Sequence, residues 1–163
     1  MNLAQGAIEA ARAAGAERFA TAELAAAIDT LKRSNEAAAG NDYRQALNYA
    51  LDSFERAQNA AKLAVEGRAN ARGEAERAVA QVATLLATAE TRIKATPLPA
   101  RNRNAPQQTI DSAGKALQEA RTALQKEDYL AVGGALEGVA AGLQAALTQI
   151  DTPPAAAPAR RKR

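Results

Sequence analysis

The sequence predicts an all-α protein, an antiparallel helical bundle of about five helices. Three observations carry this. The chain is 47% apolar but only 3% aromatic over its 163 residues, and most of the apolar share is Ala, the residue of highest helix propensity. Apolar residues recur at spacings of three and four over long stretches, the period of an amphipathic helix. A polar corner, Gly40-Asn41-Asp42-Tyr43, returns as Lys126-Glu127-Asp128-Tyr129. Two hairpins of tetratricopeptide-like (TPR-like) logic are therefore expected from one duplicated unit.

Taken in order, Ile8 and Ala11 lie on one face of a first helix starting at Asn2, and Gly15 ends it. Thr21 is placed to cap the next helix, with Glu23 in its first turn and Phe19 positioned to staple against Leu24. Leu24, Ala27, Ile28, Leu31 and Ala38 share a face of that helix. Gly40 is expected to close it in the left-handed conformation, and Asn41 to accept from the free N–H groups of the helix that follows. Tyr43, Leu47, Ala50, Leu51, Phe54, Ala57, Ala61, Ala64 and Val65 read as the stripe of a long helix over 42–96. Val79, Val82, Leu86, Ala89 and Ile93 continue it with heptad spacing. Gly67 and Gly73 mark where so long a helix would break.

Pro97-Leu98-Pro99 stops that helix. Residues 97–105, with Arg101 and Arg103, are expected to form a polar extended connection, and Pro106 to start the next helix. Ile110, Ala113, Leu117, Ala120 and Leu124 form its stripe. After the second corner, Tyr129, Val132, Leu136, Val139, Leu143, Ala146 and Ile150 keep the three–four alternation throughout, as one uninterrupted helix would. Residues 153–163 hold only Pro, Ala and basic residues and are expected to be a disordered tail.

An offset of 86 residues, which brings Asp42 onto Asp128, aligns the two halves without a gap. Leu24 then meets Ile110, Leu31 meets Leu117, Ala50 meets Leu136, Ala57 meets Leu143 and Val65 meets Asp151. The hairpin copies are 21–66 and 107–150, expected to bury each other's apolar faces in one domain over 1–152. Tyr43 and Tyr129 are expected to lay their rings over the open hairpin ends with the hydroxyls in water. Gly134, Gly138 and Gly142 recur every four residues. Each costs about 1 kcal/mol of helix propensity relative to Ala, and close packing against the helix over 106–126 is the expected return.

Residues 13–64 carry Ala14-Gly15-Ala16-Glu17, then Phe19, Glu23-Leu24, Gly40-Asn41-Asp42-Tyr43, Ala46 and a run of Ala. This stretch, about a third of the chain, resembles the DUF4398 family of bacterial envelope proteins. The resemblance implies a location more than an activity. In that family the segment commonly follows a signal peptide and a lipidated Cys, often in proteins with an OmpA-like peptidoglycan-binding domain. This chain has Thr21 where the family usually has Pro, and it carries neither the lipidated Cys nor the OmpA-like domain.

Chemistry has little to stand on. The chain has no Cys and no His, which removes thiol and imidazole catalysis and the usual zinc sites. The carboxylates are scattered, and Ser34, Ser53 and Ser112 lack the setting of a nucleophile, so they read as residues of solvated faces. No catalytic, cofactor-binding or metal-binding residue is expected, and no cofactor. The formal net charge of +3 resides in residues 151–163, where Asp151 stands against Arg160, Arg161, Lys162 and Arg163. Those four basic residues are the candidate contact for an anionic surface or polymer. Without interleaved aromatics they do not favour nucleic acid. Glu137 and Gln144 argue against a membrane reading of the last helix, and no transmembrane segment is expected.

The expected function is a non-catalytic, cell-envelope-associated helical scaffold or protein-interaction module. Its expected partner is a protein, including a second copy of the chain, or an envelope polymer held by the basic tail. The compartment would be the periplasm or cell envelope if a signal peptide has been removed, and the cytoplasm otherwise. The alternative is a cytosolic adaptor that dimerises as a coiled coil through residues 74–96.

Overall fold

The computed structural model describes residues 2–152, which are overwhelmingly helical and contain no strand. The helices are α1 (Asn2–Ala13), α2 (Ala16–Phe19), α3 (Thr21–Ala39), α4 (Tyr43–Ala95), α5 (Ala100–Gln125), α6 (Tyr129–Leu136) and α7 (Val139–Asp151). They form two compact units, residues 1–71 and 72–163, where the sequence predicts one. Helix α4 contributes residues 43–71 to the first unit and 72–95 to the second. The expected tail over 153–163, with Arg160, Arg161, Lys162 and Arg163, lies outside the described residues.

In the first unit α1 buries Ala4, Ile8 and Ala11. Gly15 turns the chain at φ 90°, a conformation that suits glycine, and α2 follows as a single turn. Ala20, not Thr21, is the cap residue of α3, and the Thr21 hydroxyl donates to the Glu17 carbonyl at 3.2 Å instead. The core is alanine-rich: Ile8, Ala11, Ala16, Ala20, Leu24 and Ala27 pack against Ala57, Ala60 and Ala64 of α4, with Phe19 and Leu31 at its margin. Helix α4 runs unbroken through Gly67 and Gly73. Gly67 serves a close approach: a Cβ there would lie 3.1 Å from the Phe19 Cβ and 3.3 Å from the Phe19 carbonyl oxygen.

The first corner is a Schellman turn. The Asn41 N–H donates to the Ala38 carbonyl at 3.0 Å and the Asp42 N–H to the Ala37 carbonyl at 2.9 Å. The left-handed residue is Asn41 (φ 61°), while Gly40 sits at φ −82°, which corrects the role expected of Gly40. Capping also moves by one residue: Asp42 Oδ1, not Asn41, accepts the Gln45 N–H at 3.0 Å. The second corner repeats the bonds at the same offset. The Glu127 N–H donates to Leu124 at 3.0 Å and the Asp128 N–H to Ala123 at 2.9 Å, with Glu127 left-handed at φ 58°.

The second unit packs Val82, Leu86, Ala89 and Ile93 of α4 into a core with Ile110, Ala113, Leu117 and Ala120 of α5, and with buried residues of α6 and α7. Helix α5 begins at Ala100, directly after Pro99, so Arg101 and Arg103 are helical rather than extended. Pro106 lies buried inside α5 rather than at its start. The Arg103 guanidinium donates to the Ile93 carbonyl at 3.3 Å.

The expected last helix is two helices. Glu137 leaves helical geometry (φ −58°, ψ 125°) and Gly138 is left-handed at φ 71°. Glycines at 133, 134 and 138 give this stretch weak helix propensity, and only glycine takes the Gly138 conformation without cost. By length and composition alone, Tyr129–Asp151 is long and apolar enough to cross a membrane. One side of this stretch, Tyr129, Val132, Leu136, Leu143, Ala146 and Ile150, is buried in the second unit, while most of it is not. Arg92 and Asp151 close the far end of the unit with a 2.7 Å ion pair.

The corner geometry sets opposite outcomes for adjacent residues. Gly40→Ala should leave stability unchanged or raise it by about 0.4–1 kcal/mol, because Gly40 is not left-handed. Asn41→Ala should lower it by about 1–2 kcal/mol. Urea unfolding of the two variants checks this.

Candidate interaction surface

The surface is set by how α3 meets α4. Ser34 and Ser53 are both 0% exposed. The Ser34 hydroxyl donates across to the Ala46 carbonyl of α4 at 2.8 Å, and the Ser53 hydroxyl donates back to the Ala27 carbonyl of α3 at 2.8 Å. A serine oxygen lies two bonds from its Cα, so both bonds require the helix backbones to approach closely. Only small side chains fit between them, and α4 presents Ala46, Ala50, Ser53, Ala57, Ala60 and Ala64. The hydroxyls are satisfied and exchange one hydrogen bond in each direction between the helices.

The larger side chains of α4 therefore face away. Tyr43 is 68% exposed, Leu47 59%, Leu51 53% and Val65 61%, with Phe54 half-buried among them. The stripe predicted for this helix mixes both faces, and the structure separates them. Leu47, Leu51 and Val65 are corrected to the outside, and Ser53 to the inside. The spacing 46, 50, 53, 57, 60, 64 carried the signal, but its residues are five alanines and a serine, which mark no face when Ala lies on every side.

At the offset that aligns the two corners the outward residues Leu47, Leu51, Phe54 and Val65 have no large apolar counterpart, and there the chain leaves helical geometry at Glu137–Gly138. At the offset of 86 residues, Leu47 corresponds to Gly133, Leu51 to Glu137, Phe54 to Ala140 and Val65 to Asp151. The inward positions diverge the other way, with Ala50, Ala57 and Ala64 becoming Leu136, Leu143 and Ile150. Ser34 and Ser53 become Ala120 and Val139, so the second hairpin lacks the serine pair.

The other predicted residues fall as follows. Tyr43 does not cover its hairpin end; its hydroxyl donates to Asn41 Oδ1 at 3.0 Å on the surface. Tyr129 is 7% exposed, with its ring in the second core. Arg72, at the α4 end of that unit, interacts electrostatically with Tyr129 and Glu127. Its guanidinium is held above its usual pKa chiefly by the 2.8 Å hydrogen bond to Glu76 and by that carboxylate's charge. Close packing is absent at Gly134 and Gly138, where an added Cβ would meet nothing within 4 Å. At Gly142 it would meet the Thr109 methyl of α5 at 3.6 Å, an ordinary contact.

Among the described residues no group of three or more Asp or Glu side chains gathers to hold a metal. Every buried side-chain nitrogen or oxygen there has a partner. A shallow concavity on α4 is lined by Thr84, Thr88 and Thr91 with Arg92. Each of these hydroxyls donates to the carbonyl four residues earlier, at 2.9–3.0 Å. No family model matches the chain, and neither a curated protein nor a solved structure matches it.

Ser34→Ala and Ser53→Ala should each cost about 1 kcal/mol, since each removes one donor and leaves no acceptor unpaired. Ser53→Val, which adds bulk where the backbones approach, should cost about 1–3 kcal/mol. Thermal and urea unfolding measure both.

Proposed function

We propose that this protein is a non-catalytic helical interaction module of the bacterial cell envelope, and that the outward face of α4 in the first unit is its binding surface. The observation that carries the binding reading is the row Tyr43, Leu47, Leu51 and Val65, exposed on one helix. Three of its positions hold Gly, Glu or Asp in the second copy. Large apolar side chains left exposed together on one helix are the mark of an interaction site. The envelope location rests on the resemblance of residues 13–64 to the DUF4398 family. The alternative coiled-coil adaptor is not carried further in its original form, because Val82, Leu86, Ala89 and Ile93 are buried within the second unit.

Fractionation of source cells with an antibody to the native protein tests the location. Recovery with the periplasmic or membrane fraction is expected, and recovery wholly in the cytosol overturns the envelope assignment. Photo-crosslinking from residue 51 in intact cells tests the binding face. Discrete adducts are expected there and not from residue 112, an exposed position in the second unit.

A further inference from the structure

We infer that the outward face of α4 pairs with the same face of a second copy of this chain, antiparallel, about a two-fold axis at Phe54. The inference deepens the interaction-module reading and rests on it for its biological sense.

The row on α4 is Tyr43, Leu47, Leu51, Phe54, Gln58, Ala61 and Val65, with Phe54 and Ala61 half-buried and Ala61 also against the first unit's core, and its steps are mostly alternating threes and fours. That is the seam of a helix pair, and a helix carrying it binds another helix in preference to a flat surface or a small molecule. An isologous pair requires a row that complements itself in reverse. This row does so about Phe54. Tyr43 comes opposite Val65 of the second copy, Leu47 opposite its Ala61, and Leu51 beside its Gln58, while the two Phe54 rings meet at the axis. Large residues at one end of the row thus face smaller ones at the other.

Charged neighbours on the solvent edge agree with this register. Arg44 comes opposite Glu66 of the second copy, twice by symmetry, against one self-pairing of Glu55 at the axis. Such rim pairs set register more than affinity. Burying the exposed parts of the row with its flanking side chains removes on the order of 1,000–1,200 Å² from the pair, the lower edge of specific interfaces. An area of that size fits a reversible dimer rather than an obligate one.

The second unit supplies the control. At the equivalent positions it carries Gly133, Glu137, Ala140 and Asp151, so it has no such row. Leu47 and Leu51 are both more than half exposed, so Leu47→Glu/Leu51→Glu tests association without removing a core residue.

The test is sedimentation velocity of the full chain across the micromolar range, joined to cysteine cross-linking. The chain has no Cys, so Phe54→Cys introduces a single thiol at the proposed axis, and Ser112→Cys places one in the second unit. The expected results are a concentration-dependent dimer and an association at least about tenfold weaker in Leu47→Glu/Leu51→Glu with helicity retained. A disulfide dimer should form from Phe54→Cys and not from Ser112→Cys. A monomer throughout the range overturns the inference, as does a dimer that survives the double substitution or a cross-link equal at both sites. A monomer whose residue 51 still crosslinks to another protein in cells overturns the dimer alone and leaves the interaction-module reading in place.

Discussion

The exchange of hydrogen bonds between Ser34 and Ala46 and between Ser53 and Ala27 is the constraint on which the first unit depends. Both pairs fit one antiparallel register, and both need two backbones close enough for a serine to span the gap. On the α4 side that closeness admits Ala and Ser and excludes Leu. It therefore decides which side of α4 is inside, and it leaves Leu47, Leu51 and Val65 in solvent. The surface is a direct consequence of the core: a helix that carries large apolar residues and must present small ones to its neighbour has one face left for them.

The two hairpins share a corner and differ in how they fill their interiors. Both corners place the left-handed residue and the two reverse-turn bonds at equivalent positions, although the residues that carry them are Asn41 in one and Glu127 in the other. The same backbone motif is built from different side chains. Between the helices, alanines and paired serines in the first copy give way to Leu136, Leu143 and Ile150 in the second. The first interior trades apolar volume for proximity and polar cross-bonds, and the second relies on volume, which contributes roughly 1.5–3 kcal/mol for each fully buried large side chain. The outer faces diverged in the opposite sense, apolar in the first copy and small or charged in the second.

Much of the fold was legible in the sequence because it rests on local signals. Alanine content and three–four spacing marked the helices, the Asp-Tyr corners marked the hairpins, and Pro97-Leu98-Pro99 marked the end of α4. Three features were not legible, each because it depends on a neighbour or on competing propensities. The inward face of α4 is chosen by how near α3 comes, which no periodicity reports when Ala lies on every side. Gly67 answers to the close approach of Phe19 and not to a break in α4. The break at Glu137–Gly138 goes against a perfect apolar alternation from Tyr129 to Ile150, and there the local weakness of clustered glycines prevails over the pattern. The exposed apolar residues Leu47, Leu51 and Val65 were in the sequence, but the stripe did not show that they lie outside.

The central claim is that the first-unit part of α4 turns its small residues inward and its large ones outward. It is tested most directly by thiol labelling of single-cysteine variants at sub-micromolar protein, where the chain stands alone in solution. Cysteines at positions 47 and 51 should react with a maleimide at nearly the rate of an unfolded peptide. Cysteines at positions 50 and 53 should be protected until denaturant unfolds the unit. Protection at 47 and 51 with rapid reaction at 50 and 53 would contradict the account.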